Sequence, residues 1–264
     1  MVNNQFVNII DLVKYLDQVY PHELAWDEDL PRIGFILGDK FQNLKNVLLT
    51  LDINEEVIEE AIDNNVNIII AHHPLIFKPI YKINYNTVGG RIIKKLIENN
   101  ISVYTMHTNF DVGIGGVGDY LAKTLGLKNI GGDNLKDSYL RYGDIEEMSF
   151  QELIKRVISK FKLNGVKYVG DKTKLVKRVG IFGGSGGNDG AVKDALNLNL
   201  DVYISSEFKL SAAQFANYNN LSIIEVNHGV EKLALGHLKN KLIKLVAGEI
   251  IVSALETDPF EYEN

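Results

Sequence analysis

The stretch VLLTLDINEEVIEEAIDNNVNIIIA, residues 47–71, decides the fold class. Residues 47–51 and 67–71 are apolar runs of strand length. Between them, residues 54–64 repeat Val57, Ile58, Ala61 and Ile62 at the three- and four-residue steps of a helix face. Strand, helix, strand in this order is a β-α-β unit, whose two strands run parallel. The alternation continues with a helix over residues 88–98, a strand over 101–106 and a helix over 117–124 closed by Gly126. Upstream, Ile9, Leu12, Val13, Leu16 and Val19 give residues 8–19 the spacing of an opening helix. The expected class is α/β, with mostly parallel sheets covered by helices.

Residues 129–177 break the pattern, being polar and rich in Gly, Lys and Asp, with one helical segment at 149–160. They read as a small lobe or insert. Strand character returns at 177–182, followed by a helix at 189–198, a strand at 201–204, a helix at 210–217 and a strand at 221–226. Three parts are therefore expected: a first α/β half, 1–128, carrying His72, His73 and Asp111; an insert, 129–177; and a second α/β half, 178–264, carrying His228 and Glu231. Trp26, the sole tryptophan, is expected in the core, and the acidic residues 256–264 as a loosely held tail.

Composition narrows the function classes. A hydrophobic fraction of 45% with 23% charged residues is that of a globular protein able to bury a core. The formal charge of -6 argues against a broad basic face for nucleic acid, though a local lysine patch is compatible with it. With no cysteine, disulfides, thiolate nucleophiles and thiolate metal sites are excluded, so any metal is held by nitrogen and oxygen. Residues 1–12 do not show a basic stretch followed by an apolar one, and no apolar run reaches membrane length, so a cytoplasmic location is expected.

Three segments carry candidate ligands, and each follows a strand, where open α/β sheets build their sites. His72 and His73 end the 67–71 run just before Pro74. His107-Thr108-Asn109-Phe110-Asp111 follows the 101–106 strand. Asn227-His228-Gly229-Val230-Glu231 follows the 221–226 strand, with His228 and Glu231 three apart on one face of a helical turn. Each alone fits a plainer role: a loop histidine, a turn-capping aspartate, a glutamate in a first helical turn. Together they form a nitrogen and oxygen set suited to zinc, manganese or iron, with magnesium-class ions behind. A glutamate can bridge two ions through its two oxygens, and His107 can face metal or substrate, so Glu231 and His107 are the candidates for catalytic roles. The run Gly183-Gly184-Ser185-Gly186-Gly187 admits two readings, a tight structural turn or a set of backbone N–H groups for an anion.

Taken in order, Ala71-His72-His73-Pro74-Leu75-Ile76-Phe77, His107 to Asp111, Gly115-Gly116-Val117-Gly118-Asp119, Gly183 to Gly186 and His228-x-x-Glu231 resemble the GTP cyclohydrolase I type 2 homologues, the Nif-three-like family. The resemblance runs from about Trp26 to Leu242. It implies two linked α/β domains, a dinuclear metal centre and a ring-shaped homohexamer built from three dimers. It also implies that His72 and His228 serve one ion and His73 and Asp111 the other, that Glu231 bridges both, and that His107 lies beside them. Three stretches depart from the family pattern. Trp26-Asp27-Glu28-Asp29-Leu30-Pro31 replaces Trp-Asp-Asn-x-Gly-Leu, and Asn227 replaces a glycine. Ser205-Ser206-Glu207 with Ser211 stands where many members have Thr-Gly-Asp and a histidine four residues on. The expected function is that of a metal-dependent hydrolase opening the GTP ring with release of formate. The alternatives are hydrolysis of another nucleotide or phosphoester, and a non-catalytic metal-binding scaffold or regulatory interaction protein.

Overall fold

The computed structural model describes residues 5–132 and 139–260. They group into two compact units, one running to Phe110 and resuming at Leu235–Thr257, the other comprising Asp111–Ala234 and the residues from Asp258. The first stretch contains α1 (Ile9–Val19), β1 (Gly34–Leu37), β2 (Asn46–Thr50), α2 (Glu55–Asp63), β3 (Val66–Ala71), α3 (Val88–Glu98), β4 (Ser102–Thr105) and the short α4 (Thr108–Val112). Next come α5 (Val117–Leu125), β5 (Lys128–Gly131), β6 (Arg141–Ser149), α6 (Phe150–Phe161), β7 (Lys167–Val169) and β8 (Leu175–Ile181). Then follow α7 (Asp189–Asn197), β9 (Val202–Ser206), α8 (Leu210–Tyr218), β10 (Ser222–Val226), α9 (Leu233–Leu242) and β11 (Ile250–Val252).

The first unit holds a sheet in the order β1-β4-β3-β2-β11, with every pairing parallel except β1 with β4. All six residues of β3 are buried, so five of its six residues are apolar rather than alternating with polar ones. Its one polar residue, Asn67, accepts from Lys45 N at 2.9 Å and donates to Asn43 O at 2.8 Å. Helices α2 and α3 bury Val57, Ile58, Ala61, Ile92 and Leu96 against Leu48, Ile69 and Val103 of the sheet. Side chains start these helices: Asn54 accepts from Val57 N, and Thr87 from Gly90 N. Asparagines end them. Asn65, Asn100, Asn199 and Asn220 follow α2, α3, α7 and α8 with φ of 51°, 53°, 53° and 56°. This left-handed turn suits asparagine, whose short polar side chain tolerates it, and it sends each chain back into a strand.

The second unit holds a sheet in the order β5-β6-β8-β9-β10-β7. Only β8, β9 and β10 run parallel, and β5, β6 and β7 pair antiparallel. The α/β class holds for both halves, but this sheet is mixed rather than mostly parallel. The described residues of 129–177 are correspondingly part of this sheet rather than a separate lobe. Two of their strands, β5 and β7, are polar because they form the sheet's two edges, where side chains reach solvent and backbone ladders hold the strand. The division expected at 178–264 differs as well, since Leu235–Thr257 returns to the first unit and adds β11 beside β2.

Trp26 is not a core residue. It is 37% exposed, and its backbone N–H donates to Thr108 Oγ1 at 3.2 Å. The start of the acidic tail is tied down: Thr257 Oγ1 donates to Asp52 at 2.6 Å, and Asp258 accepts from the Asn227 amide. The rest of that tail, 261–264, lies outside the described residues. Among the described residues, no helix is long and apolar enough to cross a membrane.

Candidate metal centre

The parallel ladders set the ligand positions. In the β2/β3 pair Thr50 stands opposite Ala71; two residues farther along each strand come Asp52 and His73. Asp52 Oδ1 lies 2.7 Å from His73 Nδ1. The second unit repeats the device. In the β9/β10 pair Ser206 stands opposite Val226, and just past them Glu207 Oε1 lies 2.7 Å from His228 Nδ1. In both units the acid precedes its histidine by 21 residues, the length of one β-α-β step.

Two more of the candidate histidines are oriented in the same way. His107, just after β4, places Nδ1 at 2.7 Å from Asp29 Oδ2, which also accepts from Thr108 N and Thr108 Oγ1 at 3.2 and 2.8 Å. The buried His72 places Nδ1 at 2.9 Å from the Met106 carbonyl. An Nδ1 facing an acceptor oxygen carries the proton, which leaves the lone pair on Nε2, the atom a divalent ion takes. Burial pulls the carboxyls of Asp29 and Asp52 upward. The hydrogen bonds and charge of His107 and His73, with help from Thr108 and Thr257, outweigh it and hold both below the usual aspartate range.

Within the first unit, His72, His73 and His107 bring one ligand nitrogen each to within 4.8 Å of one another, a group fit to hold a cation. Within the second, the 3-10 turn His228–Lys232 puts His228 Nε2 3.4 Å from Glu231 Oε2. Asp111, in α4, is 4% exposed and Glu231 2%. Carboxylates so far removed from water call for a compensating cation or dense hydrogen bonding, so the donor set fits a divalent metal. The glycine-rich turn has a structural task here. Gly184 holds φ +62°, and a Cβ there would stand 2.6 Å from Glu231 Oε1; one on Gly183 would meet the same side chain at 3.2 Å. Only glycines let the backbone pass this close to Glu231.

Three acids escaped the sequence reading as site residues: Asp29, Asp52 and Glu207. Asp52 and Glu207 did carry a signal, because each stands just past an apolar strand on the edge that bears the histidines. Asp29 had none, lying 78 residues from its partner. Glu207 carries a structural mark as well. Its φ of +55° is a left-handed conformation held, like that of Asn129, away from a helix C-terminus, and such strain gathers where a side chain must be aimed.

The model of the Duf34/NIF3 (NGG1p interacting factor 3) family matches residues 7–259. The chain belongs to that family. Relatives named GTP cyclohydrolase 1 type 2 homolog include one from Clostridium perfringens, 30% identical over 96% of this chain and 98% of its own. Another, from Campylobacter jejuni, is 32% identical over 97% of this chain and all of its own. Among solved structures, a Bacillus cereus protein related to NIF3 superimposes with a TM-score of 0.89 at 24% identity, covering 98% of this chain and all of that one, which shows the shared fold.

Proposed function

We propose that this protein is a metal-dependent hydrolase whose two divalent ions are held by His72, His73, Asp111, His228 and Glu231, and whose substrate is a nucleotide of the GTP type. The observation that carries the reading is that His72, His73 and His228, like His107, each have Nδ1 against an oxygen, which leaves Nε2 as the atom for a metal ion in the first three and for a proton in His107. Family membership supports the assignment of ions: His72 and His228 to one, His73 and Asp111 to the other, Glu231 to both. When bound, two such ions supply Lewis acidity and lower the pKa of a water, which is what hydrolytic opening of a purine imidazole ring requires.

The chain's own residues orient and relay. Asp52 and Glu207 hold the rings of His73 and His228, and the Gly183-Gly184 turn packs against the Glu231 carboxylate. His107, anchored through Nδ1 to Asp29, presents Nε2 to accept a proton from a reacting water or return one to the opened ring. The relatives' name suggests attack at C8 of GTP with loss of formate. Purified protein supplied with zinc or manganese is expected to release formate from GTP; unchanged GTP at saturating metal, followed by mass spectrometry, removes that substrate. Elemental analysis is expected to give about two ions per chain in the wild type and about one in His73→Ala.

One observation favours a different substrate within the same chemistry. In the segment that departs from the family pattern, Ser211 Oγ donates to Asp189 at 3.2 Å, so a hydroxyl bonded to a neighbouring acid stands in the place of a histidine. Screening nucleotides and phosphoesters against the wild type and Asp111→Ala separates the two substrates. If nothing turns over while metal is bound, the scaffold reading takes their place. The homohexamer implied by the family belongs to the same proposal, and native mass spectrometry of the full chain tests it.

A further inference from the structure

Arg141, the first residue of β6, is 0% exposed and the one buried lysine or arginine among the described residues. Its Nε donates to Asp119 Oδ1 at 2.5 Å, and its two terminal nitrogens donate to the carbonyls of Val112 and Gly132. Asp119 Oδ2 in turn accepts from Gly115 N at 2.7 Å. A Cβ on Gly118 would lie 3.0 Å from the Asp111 carbonyl and 3.1 Å from Arg141 Cγ. The backbone from Asp111 to Asp119 is thus pinned at Val112 and at Gly115, and packed without slack at Gly118. Burying a guanidinium is costly unless every direction finds an acceptor, and two of the three acceptors here, Val112 and Asp119, belong to the segment that carries Asp111. The three acceptors are met by three separate guanidinium nitrogens, and a lysine, whose donors all sit on one nitrogen, does not span them.

We infer that Arg141 is a positioning residue for Asp111. It fixes the backbone of residues 111–119 so that the Asp111 carboxylate stands ready for a divalent ion without reorganising. The inference rests on the reading of Asp111 as a ligand. The test uses the full chain, stripped with a chelator and titrated with zinc or manganese by calorimetry, beside circular-dichroism melts of the metal-free proteins. Arg141→Lys is expected to keep the wild-type spectrum and one ion at wild-type affinity, while the other ion weakens by about 10- to 100-fold. A folded Arg141→Lys that binds both ions as the wild type does overturns the inference. So does a weakening of both ions in step with a lowered melting temperature, the result a merely structural residue would give. If Arg141→Lys does not fold, Gly118→Ala decides: it wedges a methyl between the Asp111 carbonyl and the Arg141 stem, and selective weakening of one ion supports the inference, wild-type affinities overturn it. A wild type that takes up no ion at all removes the metal reading and this inference together, whereas intact binding in the wild type and both variants removes this inference alone.

Discussion

Glu207 trades backbone comfort for aim. Its φ of +55° costs a non-glycine residue on the order of 1 kcal/mol, and what it gains is a carboxylate on His228 Nδ1. Glu207→Gly is therefore expected to be at least as stable as the wild type in urea, while its metal affinity falls about tenfold or more. A parallel loss of stability and affinity would refute this account of the strain. Gly184 is the opposite case. Alanine there meets both the left-handed backbone and Glu231 Oε1, so Gly184→Ala is expected to lose about 1–2 kcal/mol by chemical denaturation and to bind metal more weakly. At this scale the histidines and Glu231 were legible in the sequence because each closes an apolar strand or opens the turn after one. The acids that hold them were not, because a bond such as Asp29 to His107 depends on chain folding across 78 residues.

Elements were legible where burial imposes a pattern. The helix read at 88–98 is α3 itself, and the run read at 67–71 is β3 with one residue added, because parallel strands buried on both faces leave a continuous apolar mark. β5 and β7 left no such mark, and the apolar run of β11 is too short to be read as one. They are three or four residues long, partly exposed, and defined by backbone pairing that any side chain permits. Helix α6 was visible from its start: Ser149 Oγ accepts from Glu152 N, and Glu152 Oε2 accepts from Ser149 N at 2.8 Å. Ser149→Ala is expected to cost about 1 kcal/mol in a thermal melt, with metal binding unchanged.

For the molecule as a whole, acid sensitivity follows from the buried Arg141–Asp119 pair. Burial pushes the Asp119 carboxyl up, but the Gly115 N–H and the Arg141 guanidinium pull harder and hold it below the aspartate range. A carboxyl depressed in the folded state stabilises it at every pH above the unfolded value near 3.9, and that contribution disappears as pH falls through the folded value. Urea midpoints of metal-free protein are expected to be level above about pH 5 and to fall below about pH 4. Asp119→Asn should start lower and lose less on acidification; a variant with the same acid slope as the wild type would mean that other groups govern it.

The acid and histidine at the ends of neighbouring parallel strands have one further consequence. A single β-α-β segment, residues 46–73 in one unit and 202–228 in the other, contains both the imidazole and the carboxylate that sets its tautomer. Such a segment is portable. Transplanted onto another parallel sheet, it would arrive with its ligating nitrogen already chosen, and a chain that acquired it twice would own two preset imidazoles without having to assemble either from distant parts.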